Sequence, residues 1–222
     1  MKLRECENFL VLGLFLGLIG LLSALVLSLV SALTAPAIEK AELNAKSKAL
    51  EKLAFGGFDN KPTQEKCEFD GVTFMAVRKG GKLVGIAAEA ETNGYAGKIK
   101  ELVGFKPDDK KDWTITIVLV TEEKETPGLG KEVCSRKFKK TIFNFWKPLP
   151  GGLPPNEILD QFSDRRAGGK DDWRVTKDGG DFKFRTGATV TSRAVTGVTG
   201  KAVRTFAKHR REIFGQFKES AK

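Results

Sequence analysis

Arg185-Thr186-Gly187-Ala188-Thr189-Val190-Thr191-Ser192 is the stretch around which the chain is read; the turn Gly179-Gly180 precedes it and a helical pattern follows. Two small residues, Gly187 and Ala188, stand between hydroxyl residues at what reads as a helix entrance. The start of a helix offers backbone N–H groups without intrahelical partners, the positive end of the helix dipole, and here room for an anion to approach. That chemistry suits a phosphate. The plainer reading is that Thr186 or Thr189 serves only as an N-cap, and the rest of the chain has to decide between the two.

After this entrance, Val195, Val198, Ala202, Phe206, Ile213 and Phe217 recur at helical spacing and predict one apolar face. Gly197 and Gly200 lie in the same stretch. Each weakens a helix by about 1 kcal/mol relative to alanine unless it admits a close neighbour. Lys201, Arg204, Lys208, Arg210 and Arg211 gather toward the C-terminal end, where cations suit the dipole.

Upstream, Val72–Arg78 and Leu83–Glu91 flank Lys79-Gly80-Gly81-Lys82 and predict a β-hairpin. Gly94-Tyr95-Ala96-Gly97 is a glycine-rich turn leading into a strand through Val103. The β-branched run Trp113–Val120 predicts a central buried strand. It runs into Glu125-Thr126-Pro127-Gly128-Leu129-Gly130, in which Pro127 fixes one φ while Gly128 and Gly130 allow positive φ and close approach, so the loop is shaped. Lys131–Trp146 reads as a helix, Pro148–Pro155 as a loop, and Trp173–Lys177 as a short strand. No internal repeat is apparent.

The N-terminal region is of a different kind. Phe9–Leu33 is an uncharged run of 25 residues, which as a helix extends about 37 Å against a hydrocarbon core of about 30 Å. Ser31-Ala32-Leu33-Thr34-Ala35 resembles a signal-peptide cleavage site, but signal peptides have apolar cores of only about 7–15 residues, so the run reads as a retained anchor. Gly13 and Gly17 form a G-x-x-x-G step that suits helix packing in a membrane, or arise by chance in a Gly/Leu-rich segment. Pro36 marks a joint, and Ala37–Phe55 reads as a helix that continues from the span or leans on the domain. Flanking charges leave the orientation open.

The composition, 41% hydrophobic and 30% charged, is that of a globular protein. The net charge of +10 is spread among acids. No basic tract with interleaved aromatics appears, which argues against nucleic acid as a partner. Cys6, Cys67 and Cys134 form no C-x-x-C, and His209 is the only histidine, so iron–sulfur or zinc ligation by this chain is not expected and no metal ligand is assigned. A Cys67–Cys134 disulfide stays open.

Taken together and in order, Thr186-Gly187-Ala188-Thr189 with Val190-Thr191-Ser192, the loop Glu125–Gly130 and the turn Gly94–Gly97, behind one N-terminal span, resemble the FMN-binding G subunit of the Rnf electron-transport complex. They also resemble the related C subunit of the sodium-translocating NADH:quinone reductase. The resemblance covers about Phe9 to about Phe206. It implies a single α+β domain with an antiparallel sheet and flanking helices behind one transmembrane helix. The implied boundaries are a tail at 1–8, a transmembrane helix at 9–34, a linker helix at 35–60 and an FMN-binding domain at 61–222.

The resemblance further implies FMN joined covalently through a phosphoester to Thr189, with Thr186, Gly187, Ala188, Thr191, Ser192, Glu125, Thr126, Gly128, Leu129, Gly130 and Tyr95 around it. No catalytic residue is implied. A flavin transferase would make the bond on the outer side of the cytoplasmic membrane, and the partners would be membrane and iron–sulfur subunits of an ion-translocating ferredoxin:NAD oxidoreductase. The chain's length favours the Rnf type over the quinone-reductase type. Family members often carry an acid three positions before the first hydroxyl; here Lys183 stands there, with Asp181 the nearest acid. A flavin-free anchored binding module is the rival of another class. A Ser or Thr hydrolase is disfavoured, because His209 lies far along a basic helix with no evident orienting partner.

Overall fold

The computed structural model describes residues 2–53, 55–108, 112–138, 146 and 152–219, and it divides into two units, Met1–Ala45 and Lys46–Lys222. The first unit is helical, part of α1 (Lys2–Glu51). Within it, Phe9–Ile38 is 30 residues long and holds an 18-residue stretch of mean hydropathy 2.8, long and apolar enough to cross a membrane. The helix passes through Pro36. The segment after Pro36 thus continues the helix from the apolar span, as far as Glu51.

The second unit is built on a five-stranded antiparallel sheet, β1 (Lys66–Phe69), β2 (Val72–Lys79), β3 (Lys82–Asn93), β4 (Lys98–Pro107) and β5 (Trp113–Glu122), in simple sequence order. The expected hairpin is present: Gly80 and Gly81 take φ of +58° and +73°, the two positive values a tight two-residue turn requires. Strand β1 was not expected. Its four residues Lys-Cys-Glu-Phe carry little pattern, and the Asp70-Gly71 turn that joins them to β2 is the signal that marks them.

Side chains alternate between two cores, as the period of two demands. Phe74, Ala76, Ile86, Ala88, Val103 and Phe105 face one cluster; Met75, Val77, Ala87 and Leu102 face another. The first is covered by α4 (Thr189–Glu219), whose buried face is the expected one: Val195, Val198, Ala202, Phe206, Ile213 and Phe217. Phe206 stacks on Phe105 at 4.6 Å. The second cluster is closed by Leu50 and Leu53, with Phe55 against it, so the last turn of α1 belongs to this unit's core. Phe55 packs where Gly85 and Gly104 carry no side chain.

Three expectations fail. Trp113–Val120 is not central: β5 ends the sheet, and β3 is the middle strand. Its apolar run reflects burial on both faces and a covered edge, since the Arg165 carbonyl accepts from Ile115 N–H and the Trp113 carbonyl accepts from Ala167 N–H. The helix expected over Lys131–Trp146 is cut short. Helix α2 spans Gly130–Cys134, and Ser135 turns to extended backbone; residues 139–145 lie outside the described ones. Asn156 stops it, its side-chain amide donating to the Glu132, Val133 and Ser135 carbonyls while its oxygen caps α3 (Glu157–Asp160).

Trp173–Lys177 likewise forms no strand beyond a single bridge from Val175 to Phe182; Thr176–Asp178 is a 3-10 turn closed by Gly179 at φ +81°. Aromatic packing holds this segment instead. Trp173 lies 4.7 Å from Phe182 and rests against Gly200 of α4, which explains that glycine as a point of close approach.

Candidate functional site

Helix α4 begins at Thr189, and its first i to i−4 bond runs from Ser192 N–H to the Ala188 carbonyl. The amides of Thr189, Val190 and Thr191 precede that bond, so they have no acceptor within the helix. Neither candidate threonine caps the helix. The Ser192 hydroxyl ties the approach segment to the helix instead, donating to the Ala188 carbonyl and accepting from Arg185 N–H at 3.1 Å. The Thr189 side chain is half-buried with its hydroxyl uncommitted among the described residues. Gly187 turns the chain into the helix at φ +84°, the left-handed region, and a Cβ there would approach Leu129.

In front of these amides lies a cavity of about 460 Å³, lined by Tyr95, Glu125, Thr126, Leu129, Gly130, Gly187, Ala188, Thr189, Val190 and Thr191. That size lies within the usual range for cofactor pockets. The turn 94–97, the loop 125–130 and the helix entrance, far apart in sequence, therefore meet. Of the residues singled out in the sequence, Gly128, Thr186 and Ser192 do not line the cavity: Gly128 shapes the loop at φ +79°, and Thr186 lines a neighbouring groove with Glu157, Lys183 and Arg185.

Glu125 holds the three segments together. It is 4% exposed. One carboxylate oxygen accepts from the Tyr95 and Ala96 amides at 2.8 and 3.2 Å, and the other from the Thr191 hydroxyl at 2.7 Å. Gly94 and Gly130 clear its path, because a Cβ on either would overlap the carboxylate. Gly94 was not among the expected site residues beyond its turn. Three bonds to a buried anion are the condition for keeping it there at modest cost.

The entrance is electrically prepared as well. Arg193, on the first turns of α4, makes a two-point ion pair with Asp178, and that hydrogen bond holds the Asp178 carboxyl below the usual range. Lys183 contacts Glu157 at 3.6 Å, while Asp181 accepts from the Asp172 amide at 2.7 Å and so closes its own loop. His209 does have carboxylate neighbours, Asp70 at 3.2 Å and Glu212 at 2.7 Å, and its ring stacks on Phe69. This arrangement staples α4 to the β1–β2 turn. Cys67 and Cys134 are both buried free thiols, so the disulfide left open by the sequence is not formed.

The donor set fits a phosphate: three amides without helical acceptors at a helix start, no side chain at Gly187 and an adjoining cavity with apolar walls. Fold and site together define an α+β domain whose long helix starts beside a cofactor-sized cavity. Residues 94–204 match the family described as the FMN-binding domain. The chain is 30% identical over 210 residues to the G subunit of the ion-translocating oxidoreductase complex of Cereibacter sphaeroides, covering 92% of this chain and 87% of the relative. It is 30% identical over 212 residues to the same subunit of Pseudomonas aeruginosa, with 90% of each covered, and 36% identical over 137 residues to that of Shewanella oneidensis, with 61% and 55% covered. The chain belongs to the FMN-binding G-subunit family of ion-translocating oxidoreductase complexes.

Proposed function

We propose that this chain is a membrane-anchored electron-transfer subunit that carries FMN as a phosphoester on Thr189. The observation that carries the reading is the uncommitted Thr189 hydroxyl at the mouth of a 460 Å³ cavity, beside the free amides of the first turn of α4. Those amides and the helix dipole stabilise the phosphodiester charge. Leu129, Val190 and Tyr95 give the isoalloxazine apolar surface, and Thr126 and Gly130 bring polar edge groups to the same cavity. The flavin supplies the redox chemistry, taking and passing electrons singly or in pairs; the protein positions it and sets its electrostatic surroundings.

The G-subunit relatives support a place in an ion-translocating oxidoreductase complex; in this reading its partners there are membrane and iron–sulfur subunits. Under this reading the domain lies on the outer side of the cytoplasmic membrane, anchored by the helix over Phe9–Ile38, and a flavin transferase installs the cofactor. Lys183 and its Glu157 partner present a charge pair beside the motif where relatives often present an acid.

The test is the intact mass of the membrane-extracted chain after coexpression with a flavin transferase, together with in-gel fluorescence after boiling in detergent. The expected mass exceeds that of the polypeptide by one FMN less one water, Thr189→Ser keeps the label and Thr189→Ala loses it. An unmodified wild-type mass, or a labelled Thr189→Ala chain, overturns the assignment.

A further inference from the structure

One buried acid is not used by the site. Glu101 of β4 is 0% exposed and stands in register between Ala90 of β3 and Val120 of β5, neither of which offers it a side-chain partner. Helix α4 provides Thr199, whose hydroxyl oxygen is 2.8 Å from Glu101 Oε2 and 2.9 Å from the Val195 carbonyl oxygen. A hydroxyl has one proton to give. Both contacts are hydrogen bonds at once only when Thr199 donates to Val195 and Glu101 donates to Thr199. Glu101 Oε1 has no partner among the described residues, which a neutral carboxyl tolerates better than a carboxylate does. Burial accordingly pushes the Glu101 carboxyl up to about 8, against the pull of Thr199.

Its surroundings connect it to the pocket. From α2 it faces the buried Cys134 thiol, which burial pushes upward, with the charges of Glu101, Glu123 and Glu125 adding to the shift. Other charged groups nearby are engaged with one another: Lys100 with Glu122, Glu91 with Lys98, Glu89 with Lys46, and Arg193 with Asp178, while Lys201 reaches the Gly71 carbonyl. Thr191, which holds Glu125 at the cavity, and Thr199, which holds Glu101, are eight residues apart on α4, about 12 Å along its axis.

We propose that Glu101 Oε2 is a proton-binding site whose occupancy follows the negative charge held in the cavity between Glu125 and Thr189. The proposal rests on the flavin reading of that cavity. When an electron enters the cavity from a one-electron donor, the added negative charge raises the proton affinity of Glu101. A chain with Glu101 ionised then takes one proton from water, forming the O–H bond on Oε2, and returns it when the electron leaves. With the roughly 12 Å between Thr191 and Thr199 taken as the scale of the separation, two unit charges at an effective dielectric of ~20 change a proton affinity about tenfold.

The experiment uses the full chain in detergent, wild type against Glu101→Gln, with Glu101→Leu as the second variant should the amide disturb folding. Infrared spectra at pH 7 are expected to show a protonated-carboxyl stretch in wild type that either variant lacks. This readout does not depend on the flavin. Potentiometric titration from pH 6 to 10 is expected to give equal flavin potentials at the acid end. At the alkaline end the wild-type value falls below the variant by about 59 mV, the one-electron equivalent of tenfold. Absence of the infrared band, or flavin potentials that stay parallel to pH 10, overturns the proposal. A chain without bound flavin overturns instead the reading on which it rests, and the coupling with it.

Discussion

The hydroxyl of Thr191 donates to Glu125 Oε2 at 2.7 Å, and through this bond the first turn of α4 is tied to a loop 66 residues earlier in the chain. Because the other oxygen of Glu125 accepts the Tyr95 and Ala96 amides, a single carboxylate aligns all three walls of the cavity. Removing it leaves three donors facing a void. Glu125→Ala is expected to cost about 2–4 kcal/mol, and Glu125→Gln, which keeps an acceptor for the two amides, about 1 kcal/mol. Urea unfolding of the detergent-solubilised chain measures both; equal losses for the two variants would show that the acceptor does not matter.

The two glycines of α4 separate by what lies against them. A Cβ on Gly197 meets nothing within 4 Å, whereas one on Gly200 would overlap the Trp173 side chain. Gly197→Ala is therefore expected to stabilise by about 0.5–1 kcal/mol, and Gly200→Ala to destabilise by about 1–3 kcal/mol. Melting temperatures moving in the same direction would refute this division.

Buried thiols give a chemical readout of the fold. Burial pushes the Cys67 thiol up to about 11 and raises Cys134 further. At pH 8 only about one Cys67 thiol in a thousand would be ionised even if reagent reached it. In a Cys6→Ser background, alkylation in native buffer is expected to be slower by at least a hundredfold than in denaturant for both cysteines. Rapid native labelling of Cys134 would mean that α2 opens readily.

Acid and base should act on stability through Glu101 in a defined sense. Its carboxyl titrates near 4.5 when unfolded and at about 8 when folded, so the folded chain holds the proton that the unfolded chain loses between those values. The stabilisation from this group is full below about pH 4.5, declines by at most about 1.4 kcal/mol per pH unit, and is gone above about pH 8. Glu101→Leu should lack that decline. Denaturation midpoints of the two chains across pH 5–9 should diverge in favour of the variant, and parallel curves would contradict the burial of an ionisable group.

The sequence revealed most where one residue type has one use. Gly80-Gly81 located the β2–β3 turn, and the apolar spacing from Val195 to Phe217 identified the buried face of α4. The residues that line the cavity were largely legible too, because Gly187, Gly130 and Tyr95 sit in short motifs with unusual backbone demands. What escaped depends on partners distant in sequence. Asn156 ends α2 from 22 residues beyond Cys134, and no local pattern announces such a cap. The Trp113–Val120 run looked central because burial on two faces and a covered edge produce the same composition as a middle strand. Glu101 was invisible for a related reason: in a strand, one acid among Ile99, Leu102 and Val103 reads as a solvent-facing position, and only the fold places it beneath Thr199.

Leu50 and Leu53, at the end of α1, are almost wholly enclosed against Met75, Val77, Ala87, Leu102 and Leu119. Any soluble fragment prepared for study therefore has to begin at or before Lys46. A fragment trimmed to the start of β1 would bare one whole face of the sheet, and its insolubility would say nothing about the cavity at the start of α4.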